Sequence, residues 1–400
     1  MTASPFDSQT RWLLPEGIDE FLPEQAERIE TLRRDLLDLF HLWGYELVIP
    51  PLVEYIEALL VGAGTDLDLE TFKLIDQVSG RLLGIRADMT PQVARIDAHR
   101  IRREAPTRLC YLDTVLHTRQ DSFARSRTPL QLGVELYGHA GLESDIEILK
   151  LMVETLRLTG VQNFQLDLGH VGIFRELARE AGLSPDQEGM LFTALQRKSR
   201  PEIEEYLATT TVATKYRHML VALVELNGGA EVLDEAKVAL KQAGAPVQQA
   251  LEHLHRLHYS AHFKLSPAPL HYDLAELRGY RYQSGVVFAA FAPGHGQEIA
   301  RGGRYDEIGR LFGRPRPATG FSADLKTLMM LSSDSGASTA SPGVVAPWSE
   351  CEALQRFIRE LRRSGTRVIN ELPGQAGQMR ELGCDRRIVK QDGVWTIVAL

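Results

Sequence analysis

Three arginines, Arg119, Arg125 and Arg127, fall within the short segment Arg119–Arg127. Guanidinium groups pair bidentately with oxyanions, so this segment is a candidate anion site wherever the flanking chain holds it in place. Taken alone, it reads equally as a solvated hairpin tip. A second cluster holds four histidines, His253, His255, His258 and His262. His258 and His262 stand at i, i+4 on an expected helix, a workable pair of metal ligands. No carboxylate or cysteine completes a site nearby, so the expectation is surface and boundary histidines, with no metal. The three cysteines, Cys110, Cys351 and Cys384, are odd in number and far apart. They form neither a disulfide framework nor a zinc pattern, and they suit a reducing cytosol.

The arginine loop needs arms to hold it. Alternating apolar residues on either side, Leu109 and Tyr111 before it and Leu130, Leu132, Val134 and Leu136 after it, have the period of half-buried strands. Two antiparallel strands are therefore expected, Thr107–Thr118 and Thr128–His139. Upstream, Pro23 in a first turn, apolar residues from Ile29 to Trp43 at helical spacing and Gly44 at the end mark a helix. Tyr45–Pro51 then reads as a strand stopped by prolines. Phe72–Asp76 and Arg81–Arg86 form a second hairpin, followed by Thr90 as helix N-cap and Pro91 at the first helical position of a helix to Arg103. Downstream come a helix over Ser144–Leu158 and a strand over Phe164–Leu168. From about 175 to 262 the pattern is helical throughout.

Bulk properties bound the function. Four hundred residues suffice for one large domain and a small one. A net charge of −8 and a pI near 5.9 argue against a nucleic-acid face across the whole chain. There is no apolar run of signal-peptide or membrane-span length, so a soluble, cytoplasmic chain is expected.

Six motifs carry a resemblance to the class II aminoacyl-tRNA synthetases, and to histidyl-tRNA synthetase in particular. The central hairpin resembles motif 2, whose second strand Gln-Leu-Gly-x-Glu stands here as Gln131-Leu132-Gly133-Val134-Glu135. The helix and strand ending at Pro50 and Pro51 resemble motif 1, which builds the dimer interface. Asp88-Met89-Thr90 falls on a segment whose acidic residue and threonine hold the ammonium of the amino acid in that family. A carboxylate and a hydroxyl are the acceptors an ammonium wants. Leu277-Arg278-Gly279-Tyr280-Arg281-Tyr282-Gln283 resembles the histidine-specific motif. The resemblance gives Arg278 the substrate carboxylate, keeps Tyr282, and puts Gln283 where a second tyrosine stands in the family. Gly302-Gly303-Arg304-Tyr305-Asp306 and Gly320–Leu328 resemble its Gly-Gly-Arg-Tyr-Asp and its motif 3. The resemblance thus implies an amino-acid site of Asp88, Thr90, Gln131, Glu135, Arg278 and Tyr282, with a weaker anion site of Arg119, Arg125 and Arg127.

Three positions depart from the family together. His117 replaces the motif 2 arginine, Arg119 its glutamate and Thr327 the motif 3 arginine. In a synthetase the two arginines grip the phosphates of ATP, and losing one preorganised donor typically costs on the order of 10²–10³ in rate. The residues could hold histidine without activating it.

Leu331–Gly343 is rich in serine, glycine and alanine and reads as a linker. The expected organisation is α+β: a class II synthetase-like antiparallel sheet flanked by helices over 1–330, with a helical insertion at about 175–262. The linker 331–343 leads to a small α/β unit over 344–400. The cut-down tail and the altered motifs resemble the regulatory subunits of ATP phosphoribosyltransferase. That resemblance implies a short-form catalytic subunit as partner, L-histidine as effector, a homodimer within a hetero-oligomer, no catalytic residues, no cofactor and little tRNA binding. The competing readings are a divergent histidyl-tRNA synthetase-like adenylating enzyme and a tRNA-binding module without chemistry.

Overall fold

The computed structural model describes residues 12–61, 65–119, 126–260, 268–276, 279–280, 282–333, 342–374, 379 and 381–400. The chain divides into two compact units, Met1–Phe21 with Ile29–Asp334, and Leu22–Arg28 with Ser335–Leu400. Among the described residues no helix is long and apolar enough to cross a membrane.

Sixteen strands are described: β1 Glu46–Leu47, β2 Val53–Tyr55, β3 Phe72–Ile75, β4 Leu82–Ile85, β5 Thr107–Thr114, β6 Leu130–Tyr137, β7 Gln165–His170, β8 Asn227–Gly228, β9 Leu270–Asp273, β10 Val286–Phe291, β11 Glu298–Arg304, β12 Ala318–Asp324, β13 Gly343–Ala346, β14 Val368–Asn370, β15 Cys384–Gln391 and β16 Val394–Ala399. Nine of them make the main sheet in the order β1-β5-β6-β12-β11-β10-β7-β9-β8. Its centre, from β5 to β7, is antiparallel throughout.

The arms of the central hairpin are shorter than the sequence suggests. Pairing as strands stops at Thr114 and Leu130. Beyond it Val115 N–H still donates to Pro129 O at 3.0 Å and His117 N–H to Arg127 O at 2.9 Å. Pro129 has no N–H to return the bond, so the ladder cannot continue. The strand expected over Tyr45–Pro51 shrinks to Glu46–Leu47 for the same reason, since Pro50 and Pro51 remove two donors.

The expectation of half-buried strands is corrected too. Leu109, Cys110, Tyr111 and Leu112 are all buried, as is every residue from Leu132 to Tyr137, and Gly133 packs under the Tyr111 ring. Register explains this. Cys110 and Leu112 lie opposite Val134 and Leu132, and this face joins the large core under the helix Leu142–Leu158. Leu109 and Tyr111 lie opposite Glu135 and Gly133, and they face a smaller cluster with Met89, Val93, Tyr137 and Tyr305. The alternation therefore separates core from candidate site rather than inside from outside.

Between β7 and β9 run six helices from Val171 to Tyr259, interrupted by the two-residue β8. Their buried leucines continue the large core. The last helix ends at Tyr259, and His262 lies outside the described residues. His253 bonds Asp145 at 3.0 Å and His258 bonds the Tyr272 hydroxyl at 2.8 Å. No group of three or more potential metal ligands occurs among the described residues.

Buried ion pairs lock the main unit. Arg304 reaches Asp145 at 2.9 Å and Arg316 reaches Asp97 at 3.0 Å. Arg86, almost wholly buried, pairs with Asp113 at 2.8 Å and donates to the carbonyls of Pro50 and Thr114. In the second unit β13 lies between β14 and β15, parallel to both, with β16 antiparallel at the edge. The helix Glu352–Arg363 buries Leu354 and Ile358 against Val344, Ala346, Val368 and Ile388.

Candidate ligand-binding site

Cross-strand partners place their side chains on one face of a sheet. On the face away from the helix Leu142–Leu158, one row of partners runs Leu109, Glu135, Gly320, Gly303, Val287 and Gly169 across five neighbouring pairs of strands. Glu135 is the carboxylate of this row. The glycines beside it leave a floor with no side chains.

The segment after β4 closes one side. Oδ1 of Asp88 accepts from Thr90 N–H at 3.0 Å and from Gln131 Nε2 at 2.8 Å. Gln131 Oε1 in turn accepts from Met89 N–H at 2.9 Å. The expected capping by Thr90 is absent, because the helix Thr90–Ile96 begins at that residue and Met89 caps it without a side-chain bond. The Thr90 hydroxyl instead meets the Tyr111 hydroxyl at 3.0 Å, and Tyr111 donates to Glu135 Oε1 at 3.1 Å. Tyr305 donates to the other oxygen of Glu135. The Tyr282 ring stacks on Tyr305 with centroids 5.4 Å apart. Asp88, Thr90, Gln131, Glu135 and Tyr282 are thus brought together. Arg278 lies outside the described residues.

The electrostatics are set by burial. Glu135 is 1% exposed. Loss of water pushes its carboxyl up to about 8, against the opposing hydroxyl bonds of Tyr305 and Tyr111, while the nearby Asp88 charge adds to the rise. The hydroxyls of Tyr111 and Tyr305 are pushed far up, chiefly by burial. The hydroxyls of Tyr137 and Tyr282 and the amide oxygen of Gln283 are shut off from water and have no hydrogen-bond partner among the described residues. Unsatisfied polar atoms are uncommon in protein interiors, and several in one place suit a cavity completed by a ligand. The acceptors, Asp88 and Glu135, suit an ammonium or other N–H donor.

The basic loop is arranged differently. Arg125 lies outside the described residues, and Arg119 is exposed. Arg127 donates to the carbonyls of His117 at 3.0 Å and Glu16 at 3.3 Å, which fixes the base of the loop. His117 Nε2 lies 2.9 Å from Ala87 O. Asp324 caps the helix Leu325–Leu331, accepting from the Thr327 hydroxyl at 2.7 Å and from the N–H groups of Lys326 and Thr327. Lys326 Nζ reaches the Thr128 hydroxyl at 3.0 Å.

Sequence reasoning missed Tyr111 and Tyr305 as members of the site. Tyr111 reads as one more apolar residue of an alternating strand. The available signal was Gly133, which the hairpin register puts opposite Tyr111, and where a Cβ would lie 2.4 Å from the ring.

The fold agrees with comparison to known proteins. The family model described as histidyl-tRNA synthetase matches residues 17–328. A crystal structure of a histidyl-tRNA synthetase from Nostoc sp. PCC 7120 has the same fold, with a TM-score of 0.76 at 18% identity over 97% of each chain. The chain is therefore a class II synthetase-like protein of α+β architecture. Residues 341–398 match the family model described as the ATP phosphoribosyltransferase subunit HisZ C-terminal domain. The chain is 57% identical over 393 residues, 98% of each chain, to the ATP phosphoribosyltransferase regulatory subunit of Alkalilimnicola ehrlichii. It is 53% identical over 391 residues, again 98% of each, to that of Pseudomonas aeruginosa. A Bacillus halodurans structure described as an ATP phosphoribosyltransferase regulatory subunit/histidyl-tRNA synthetase has a TM-score of 0.81 at 26% identity, covering 95% of this chain and 96% of its own. The chain belongs to the family of ATP phosphoribosyltransferase regulatory subunits.

Proposed function

We propose that this chain is a non-catalytic subunit that activates a short-form ATP phosphoribosyltransferase catalytic subunit and mediates its feedback inhibition by L-histidine, in the first step of histidine biosynthesis. The carrying observation is the contrast between the two ends of the site. Asp88, Thr90, Gln131 and Glu135 form one connected set of hydrogen bonds around buried, unpaired tyrosine hydroxyls. At the other end, the resemblance puts His117 and Thr327 where a synthetase has phosphate-gripping arginines, and each is bonded into its own neighbourhood, to Ala87 O and to Asp324. A neutral hydroxyl cannot neutralise a phosphate as a guanidinium does, so adenylation has little support.

Histidine would place its ammonium against Asp88 and Thr90 and its carboxylate against Arg278. Inhibition then requires that histidine bind two states of the complex unequally. Exposed Leu42, Leu47, Ile49 and Leu52 along the helix Pro23–Leu42 and the chain after it support self-association of the chain within the hetero-oligomer. In this reading the chain is a cytoplasmic protein with a synthetase-like body over 1–330, a linker over 331–343 and a C-terminal unit over 344–400, and the two family models, over 17–328 and 341–398, support that division.

The test is the rate of a short-form catalytic subunit with and without this chain, titrated with histidine. Activation that histidine reverses is expected. Asp88→Asn and Arg278→Gln should each remove the inhibition and leave activation intact. Histidine-dependent exchange of pyrophosphate into ATP by this chain alone would instead establish an adenylating enzyme.

A further inference from the structure

We propose that a cavity in the second unit is a guanidinium-binding site that takes the side chain of an arginine. The cavity measures about 290 Å³ and is lined by Trp348, Ser349, Glu350, Gln355 and Asn370. All five belong to the second unit, so the site is independent of the amino-acid site above.

The topology makes the cavity. β13 and β14 run parallel and end side by side, with Ala346 opposite Asn370. The chain leaves β13 through Trp348, Ser349 and Glu350, forms the helix Glu352–Arg363 and returns as β14. Open α/β sheets leave a crevice outside the carboxyl ends of their strands, and there the five residues meet. Their backbone is held by its own hydrogen bonds. Gln355 Nε2 donates to Ser349 O at 2.8 Å, and Cys351 N–H donates to Ser349 Oγ at 3.1 Å. Glu371 N–H donates to Ala346 O at 2.8 Å, which ties the two strand ends together.

What the wall leaves over accepts hydrogen bonds or offers a flat face. Trp348 is 59% exposed, although a large ring is rarely left in water without a use. The Asn370 amide oxygen has no hydrogen-bond partner among the described residues. Glu350 has no ion-pair partner among them either. A helix start favours an anion, but Glu350 already supplies that negative charge and would repel a second. A positively charged donor completes the set. A guanidinium is planar, so it lies on an indole while its in-plane N–H groups reach a carboxylate and an amide oxygen together. An ammonium has no flat face to lay on the ring. Small-molecule sites typically run from about 300 Å³ upward, so a cavity of this size suits a single side chain. The arginine is either free or part of a partner chain.

The experiment is an NMR titration of the full-length chain with isotope-labelled tryptophan indoles, the Trp348 signal being the one missing in Trp348→Phe. The probes are N-acetyl-L-arginine amide and N-acetyl-L-citrulline amide, which has nearly the same shape and no charge. The arginine probe is expected to shift the Trp348 signal saturably in the millimolar range. The citrulline probe should bind about tenfold or more weakly, the range of one hydrogen bond to a charged group. Glu350→Gln, an isosteric change at an exposed position, should weaken the arginine probe by a similar factor. Asn370→Leu should weaken it as well, and where that variant does not fold the glutamine variant still decides. An absent Trp348 shift, an equal response to both probes, or arginine binding by folded Glu350→Gln as tight as wild type overturns the site. A second assay separates the two sources of the guanidinium. Excess arginine probe should raise the concentration of this chain that half-activates a short-form catalytic subunit if the arginine belongs to that subunit. An unchanged concentration makes free arginine the ligand, and both results keep the guanidinium chemistry.

Discussion

The carboxyl of Glu135 reaches over Gly320 to the hydroxyl of Tyr305, although β6 and β11 are not neighbours and β12 runs between them. Only a strand without a side chain at that point permits the crossing. A Cβ on Gly320 would lie 1.8 Å from Glu135 Oε2 and 2.5 Å from Val134 O. The second clash is with backbone, which cannot swing aside.

Gly320→Ala should therefore do two things at once. Overpacking a closed interior typically costs about 1–3 kcal/mol, and here it also pushes Glu135 off Tyr305. Lower thermal stability together with lost histidine binding is expected in melting and calorimetric titration. A variant as stable as wild type would mean that the floor is looser than the packing indicates.

The buried carboxyl gives the chain a pH signature. In the unfolded chain Glu135 titrates near 4.5, and in the folded one burial raises it to about 8. Between those values the native state holds more protons than the unfolded state, so stability falls as pH rises, by at most about 1.4 kcal/mol per unit from this group. Glu135→Gln removes the titration, so its stability relative to wild type should improve from pH 5 to pH 8 in denaturant unfolding. A ligand ammonium beside Glu135 favours the ionised form. Histidine binding near pH 7 should release protons, visible as heats that change with the ionisation enthalpy of the buffer.

How much of this was readable in the chain depends on how local the cause is. The helices of the insertion follow from periodicity, and the sequence order of Asp88, Thr90, Gln131 and Glu135 carries the site's acceptors. Tyr305 cannot be paired with Glu135 that way, because their meeting depends on the strand order β6-β12-β11, which tertiary pairing decides. Tyr111 shares the alternation of a core residue, and only the register of the hairpin turns it toward Thr90 and Glu135. Arg127 has the side chain of an anion ligand, yet two backbone carbonyls hold its guanidinium. A carbonyl has no residue type, so the sequence offers no sign of it.

On the opposite face of the sheet, Arg304 and Asp145 anchor the main unit. Both are nearly free of solvent contact, and Arg304 also reaches Ser144, Asp306 and the carbonyls of His139 and Gly141. Removing one member of a buried pair leaves the other charged and uncompensated, a cost of about 3–5 kcal/mol. Asp145→Ala leaves Arg304 with only the more exposed Asp306 carboxylate at 3.2 Å and takes the partner of His253 as well. It should unfold at markedly lower denaturant concentration than wild type, while Arg304→Met with Asp145→Leu recovers part of the loss by making the site apolar.

Arg175 links the helical insertion to the segment that carries Tyr282 and Gln283. It belongs to the helix Val171–Glu180, yet its guanidinium holds the carbonyls of Tyr280 and Gln283 and lies 4.9 Å from the centre of the Tyr280 ring. In the proposed site, Arg175 would position Tyr282 and Gln283 through these bonds. Arg175→Met keeps the aliphatic stem over the ring and loses both hydrogen bonds. Histidine affinity should fall by about tenfold, the range expected for hydrogen bonds donated by a charged group, because the whole segment loosens. Arg175→Lys restores one donor and should recover part of the affinity. A purely structural role would lower the melting temperature of both variants equally and leave the affinity of the folded fraction unchanged, and that pattern would remove Arg175 from the site.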